Sequence, residues 1–221
     1  MFNTVRNAYL RHKHFWSKTN IVSLATGFGF FISALIVQHF VYNYIDRTVK
    51  GTPVGDLVLD HLAVVNLDFF IVEGALVSTV IVMILFLLYP RYLIFSLKAL
   101  AFFIIIRSFF ISLTHLGTNL HQITLDHGSI GFFLYDFLYN AKNDFFFSGH
   151  VGASFLFALI FWKQVLWRAT FLGISIIFAV SMLLAHMHYS IDIFAAPFIT
   201  YGIFTISKRL FRKDFKLFEI L

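Results

Sequence analysis

YLIFSLKALAFFIIIRSFFISLTHL, residues 92–116, carries two charged side chains, Lys98 and Arg107, and is otherwise dominated by Leu, Ile, Phe and Ala. A run of this length matches a bilayer-spanning helix, which needs about 20 apolar residues, and is too long for a buried strand. Similar runs lie at 21–43, 69–89, 149–163, 166–185 and 188–207, the one at 149–163 being the shortest. The composition agrees: of 221 residues, 59% are hydrophobic, 19% aromatic and only 13% charged, and mean hydropathy is +0.83. The expected fold is therefore all-α, an integral membrane bundle of six transmembrane helices forming one domain over residues 1–221. No cysteine is present, which removes disulfides and thiolate chemistry. The first 20 residues show no short apolar core followed by a small-residue cleavage site, so 21–43 is expected to be a retained span.

Charge sets the expected orientation. The tails 1–20 and 208–221, with the short turns around Arg91 and Lys98 and around Lys163 and Arg168, hold 13 of the 17 Lys and Arg residues, opposed only by Asp214 and Glu219. Loops 44–68 and 117–148 hold Arg47, Lys50 and Lys142 against seven aspartates. The positive-inside rule places both termini in the cytoplasm and the acidic loops in a lumen, the periplasm or the exterior. The net charge of +6 is thus topological, and no nucleic-acid partner is expected. Three charged residues remain inside spans and need a reason to be there: Glu73, Arg107 and Asp192.

In this topology His150 opens the fourth span and His188 and Asp192 open the sixth at the outer face, while Arg107 lies deeper on the third. Three different helices thus bring titratable groups to one end. In HYSID, 188–192, the spacing sets His188 and Asp192 one turn apart, so that the carboxylate can hold one imidazole nitrogen and leave the other free to attack. A second imidazole, His150, can supply a proton to a leaving group, and Arg107 can neutralise phosphate oxygens. Ser148 and Gly149 would add a hydroxyl and the free N–H groups of a helix start. These parts suit phosphoryl transfer. Glu73 is read as a supporting partner of the site or a packing hydrogen bond, and Asp144 as a holder of His150 or a helix cap. His115, His121, His127 and His186 receive no role. IGFFLYDFLYNA, 130–141, has helical spacing and is expected in the outer interface, beside a lipid entrance.

DFFFSGH, 144–150, resembles the D-x-x-x-S-G-H element of the sphingomyelin synthases, and HYSID resembles their H-Y-[S/T]-x-D element. Both lie within the lipid phosphatase and phosphotransferase superfamily named for the type 2 phosphatidic acid phosphatases. RSFFISLTHLG, 107–117, looks like the family's arginine-bearing third-helix segment, and PVGDLVLD, 53–60, is similar to its P-x-P-D loop. The resemblance covers about 53–207. It implies that His188, oriented by Asp192, attacks the phosphorus of a membrane phospholipid donor and forms a phosphohistidine. His150 would protonate the departing diacylglycerol and deprotonate the acceptor, a lipid alcohol such as ceramide or diacylglycerol, or water. Arg107, Ser148 and Gly149 would bind the phosphate, with Asp144, Glu73 and Tyr189 in support, and no metal or other cofactor would take part. The superfamily's phosphatases carry K-x6-R-P and S-R-x5-H, whereas here eight residues separate Lys98 from Arg107, and Ser181 is followed by Met182. Fewer cations favour a phosphodiester over a more highly charged monoester. Three other readings stand beside this one: a lipid phosphatase or phospholipase C-like hydrolase of the same superfamily, with water as acceptor; a zinc-dependent lipid hydrolase using His150, His188 and Asp192 with Glu73 or Asp144; and a non-enzymatic lipid-binding module. Both monomer and homo-oligomer are open.

Overall fold

The structure is a computed structural model that describes residues 12–13, 15–48, 51–126, 128, 131–139 and 145–219. Eight α-helices follow one another in these residues: α1 (Lys18–Thr48), α2 (Asp68–Leu88), α3 (Pro90–Leu113), α4 (Phe132–Tyr139), α5 (Gly149–Ile160), α6 (Val165–Leu184), α7 (Ser190–Leu210) and α8 (Arg212–Glu219). A single 3-10 turn spans Leu59–His61, and no strand occurs among the described residues. Five helices (α1, α2, α3, α6 and α7) are long and apolar enough to cross a membrane. The sixth expected span, 149–163, is instead the shorter α5 of 12 residues. At 1.5 Å per residue it rises about 18 Å, well short of the roughly 30 Å hydrocarbon layer.

Pro90 at the first helical position starts α3 directly after α2, because proline there lacks only an N–H that would be unpaired anyway. Most of α1 faces outward: Gly27, Ala34 and Ile45 are its buried residues, while Phe28, Ile32, Ile36 and Phe40 are exposed. It packs along α3, and the small residue Gly27 lets the aliphatic stem of Lys98 lie 3.6 Å from where a Cβ would stand. The apolar core is built by α2, α3, α5, α6 and α7, with Phe95, Phe147, Phe161 and Phe171 almost fully enclosed. At Gly152 a Cβ would stand 2.8 Å from the Phe103 ring and 2.9 Å from the Thr200 hydroxyl, so only glycine lets α5 sink this far between α3 and α7. Apolar side chains on the outer surfaces of α1, α2, α6 and α7 form the lipid-facing surface of a membrane bundle.

The two ends of the bundle differ. At the end holding α8 and the start of α1, Lys98 Nζ donates to Asp214 Oδ2 (2.7 Å) and to Ser23 Oγ (2.8 Å), and Ser23 Oγ donates to Asp214 Oδ1 (2.6 Å). This cluster ties α8 to the first turns of α1 and the first half of α3. The opposite end gathers the C-terminal parts of α1, α3 and α6 and the N-termini of α5 and α7.

Candidate active site

The site is assembled by the way α6 hands the chain to α7. A left-handed turn closes α6: His186 N–H donates to Leu183 O and Met187 N–H to Met182 O, both at 3.0 Å, with His186 at φ 53°. This is a Schellman closure. His188 therefore lies before α7 and not on it as the sequence suggested, because Tyr189 is the N-cap and the helix begins at Ser190. The pairing with Asp192 survives for a different reason. Asp192 is the third residue of α7, and its carboxylate turns back over the helix start, where Oδ2 accepts from Tyr189 N–H (3.2 Å) and from His188 Nδ1–H (3.2 Å). A capping box thus also orients the imidazole. His188 and Asp192 are buried, at 7% and 2% exposure, which excludes competing water from the pair.

The loop 51–61 braces this helix start. Asp56 Oδ2 accepts from Ser190 N–H at 2.6 Å, while its Oδ1 accepts from Val58 and Leu59 N–H at 2.9 and 3.1 Å. One carboxylate therefore caps two helix N-termini. Burial pushes the Asp56 carboxyl up, but hydrogen bonds from Ser190, Leu59 and Val58 outweigh it and hold it below the usual 3.8. The Tyr189 hydroxyl donates to Gly117 O (2.8 Å) and accepts from Val54 N–H (3.2 Å), pinning the same turn to the loop after α3.

The start of α5 is fastened to α7 through Ser148 N–H, which donates to Asp192 O at 3.1 Å. Ser148 is the N-cap, yet its hydroxyl makes no capping bond, and Oγ is fully buried without a partner. Arg107, 6% exposed, reaches across from α3 and donates through Nε to Phe147 O (3.1 Å) and through Nη1 to Tyr42 OH on α1 (3.0 Å). Its guanidinium lies flat on Gly149: a Cβ there would stand 3.1 Å from Cζ and 3.2 Å from Nε. Gly149 thus opens a place for the cation beside the N-terminus of α5, a combination that suits an anion. His150 is next, the second residue of α5. Its ring stacks on Tyr135 of α4 (5.7 Å, 27°), meets Phe178 edge-on (5.2 Å), and Nε2 shares a 3.3 Å hydrogen bond with the Tyr135 hydroxyl.

The structure therefore brings together His150, His188, Asp192, Arg107, Ser148, Gly149 and Tyr189. Glu73 lies on α2, against Gly131 ahead of α4, with Oε1 3.2 Å from where a Cβ would stand. Asp144 lies outside the described residues, as does His127. Among the described residues no group of three or more His, Asp or Glu side chains is arranged to hold a metal ion. Sequence reading gave no role to Tyr42, Tyr135 or His186. Asp56 was quoted within PVGDLVLD but not singled out. The signal that could have found it is an acid two and three residues ahead of a helical turn, a local capping pattern.

Residues 143–209 match the family model described as PAP2 superfamily C-terminal. The matched stretch runs through α5 and α6 and nearly to the end of α7, and so contains Ser148, Gly149, His150, His188 and Asp192. The match supports the type 2 phosphatidic acid phosphatase superfamily, and with it an enzyme acting on phosphate groups, of lipid phosphatase or phosphotransferase type in a broad sense. No curated protein and no solved structure matches the chain.

Proposed function

We propose that this chain is a phospholipid headgroup phosphotransferase, moving a phospho-headgroup from a glycerophospholipid to a lipid alcohol such as ceramide. The observation that carries this reading is the buried His188–Asp192 pair, set beside His150, Arg107 and the unused Ser148 hydroxyl at one end of a membrane bundle. With Nδ1 committed to Asp192, Nε2 of His188 is the attacking atom. It forms a bond to phosphorus as the bond from phosphorus to the glycerol oxygen breaks, and His150 delivers a proton to that oxygen. An anionic phosphate bound between Arg107 and His150 favours the protonated imidazole needed for this step. In the second half His150, now neutral, takes the proton from the acceptor hydroxyl, whose oxygen displaces His188 from phosphorus.

Two features support a phosphodiester donor and transfer over hydrolysis. Lys98, the cation that a phosphatase pattern would add to Arg107, is held by Asp214 and Ser23 at the other end of the bundle. A single guanidinium matches the single charge of a diester. The burial of His188 and Asp192 keeps water from the phosphohistidine, which favours a lipid alcohol as acceptor.

The deciding experiment uses purified protein in vesicles of labelled phosphatidylcholine and phosphatidylethanolamine, with and without ceramide, with every product identified by mass spectrometry. The expected result is headgroup transfer to ceramide with stoichiometric diacylglycerol. Release of free phospho-headgroup whether or not ceramide is present would replace transferase by phospholipase C-type hydrolase.

A further inference from the structure

His186 combines two unfavourable features at one residue. It is the non-glycine residue with positive φ among those described, at 53°, in the C′ position of the Schellman closure where glycine escapes the clash between Cβ and backbone. It is also buried, at 3% exposure, with neither Nδ1 nor Nε2 hydrogen-bonded. A neutral imidazole carries one donor and one acceptor, and leaving both unmatched in an interior is costly. Glycine would relieve both defects, so packing alone gives no reason for a histidine here. Strain of this kind at one residue points to function.

A second buried polar atom without a partner belongs to the segment that packs on this turn. Ile123 N–H donates to Ala185 O at 3.1 Å, laying the segment 119–126 against the turn that holds His186, and the Oε1 of the adjacent Gln122 is buried and unpaired. Two residues further along the same turn stands His188 on its Asp192. We infer that His186, with Gln122, is a substrate-contacting subsite for the phospho-headgroup of the donor lipid, filled when the segment 119–126 is displaced from the turn at Ala185 and His186. Within that segment Leu120 is 83% exposed. The proposal rests on the phosphotransferase reading. An imidazole N–H can donate to a phosphate oxygen, while Gln122 Oε1 can accept from a donor carried by the headgroup, such as an ethanolamine ammonium.

The test compares the wild type with His186→Gly, His186→Asn, Gln122→Ala and His188→Ala, all reconstituted in vesicles of phosphatidylcholine, phosphatidylethanolamine and ceramide. Thermal stability and kcat/KM are measured on each. Glycine and asparagine both tolerate the left-handed conformation, so His186→Gly is expected to keep or raise Tm while kcat/KM falls about tenfold or more, the scale of one lost hydrogen bond. Most of that fall should appear as raised KM, and Gln122→Ala should move KM in the same direction. Wild-type kcat/KM in His186→Gly, with His188→Ala inactive, overturns this inference and leaves the phosphotransferase reading standing. Failure of both His186 variants to fold shows a packing role and overturns it as well. Full activity in His188→Ala, or no turnover by the wild type, removes the phosphotransferase reading and this inference with it.

Discussion

His188 makes its hydrogen bond to a carboxylate that also closes the capping box of α7, so in the proposed mechanism catalysis and helix initiation share one side chain. Changing Asp192 to Asn keeps the shape and removes the charge that stabilises an imidazolium. Turnover should fall about 10²–10⁴-fold with folded yield nearly unchanged, and His188→Ala should lose at least as much. Both are read by product formation in vesicles against the elution profile of the purified protein. Gly149→Ala tests the anion cradle separately. Its methyl group would press on the Arg107 guanidinium at 3.1 Å, and the cation cannot retreat without giving up Phe147 O or Tyr42 OH. Activity is expected to drop about tenfold, the value of one charge-assisted contact, while Tm barely moves. A fall in Tm that matches the fall in activity would show that Gly149 serves packing.

At the scale of elements, the start of α7 is held by a loop far away in sequence, through Asp56. Replacing Asp56 with Asn leaves an amide N–H facing Ser190 N–H or the pair Val58 and Leu59, so about 1–2 kcal/mol of stability should be lost. The pH dependence has a definite sign. A folded-state value below 3.8 means that the unfolded chain binds the proton more tightly. This contribution is therefore complete above the unfolded value and disappears as pH falls through the lowered folded one. As pH falls below about 4 the Asp56→Asn variant should show a shallower loss of Tm than the wild type, measured by thermal scans in the same detergent. At the other end of the bundle, Asp214→Ala strands Lys98 beside Ser23. Stability should fall by roughly 1.5–3 kcal/mol, with kcat/KM unchanged at a temperature where the variant is folded, because that cluster is remote from His188.

At the scale of the whole molecule, the charge asymmetry makes a topological prediction. Since the chain has no cysteine, a single one introduced at Gly128 should react with an impermeant thiol reagent applied from the non-cytoplasmic side, and one at Lys163 should not. The opposite labelling pattern reverses the orientation of the site. The charge stabilisation assigned to Arg107 and His150 also predicts that strong chelators leave turnover intact. Activity that is lost to a chelator and restored by zinc would instead favour a metal-dependent hydrolase.

Apolar runs of bilayer length are a local property, and so the sequence alone determined that this is an all-helical membrane protein and placed α1, α2, α3, α6 and α7 to within a few residues. The four-residue interval between His188 and Asp192 was legible too, although its geometry was not. Helical spacing suggested a shared face, whereas a capping box in front of α7 does the work, because the Schellman turn at His186 delays the start of that helix to Ser190, two residues past where hydropathy begins the span. The length of α5 was overestimated for a related reason: Phe161 and Trp162 stay apolar beyond the last helical turn. Only the tertiary structure decided that Asp56 grips Ser190, that Tyr42 from α1 receives Arg107, that Tyr135 lies on His150, and that Lys98 belongs to the other end of the molecule. Each of these contacts joins residues separated by at least 15 positions, and hydrogen bonds over such distances depend on how helices pack, which no window of sequence contains.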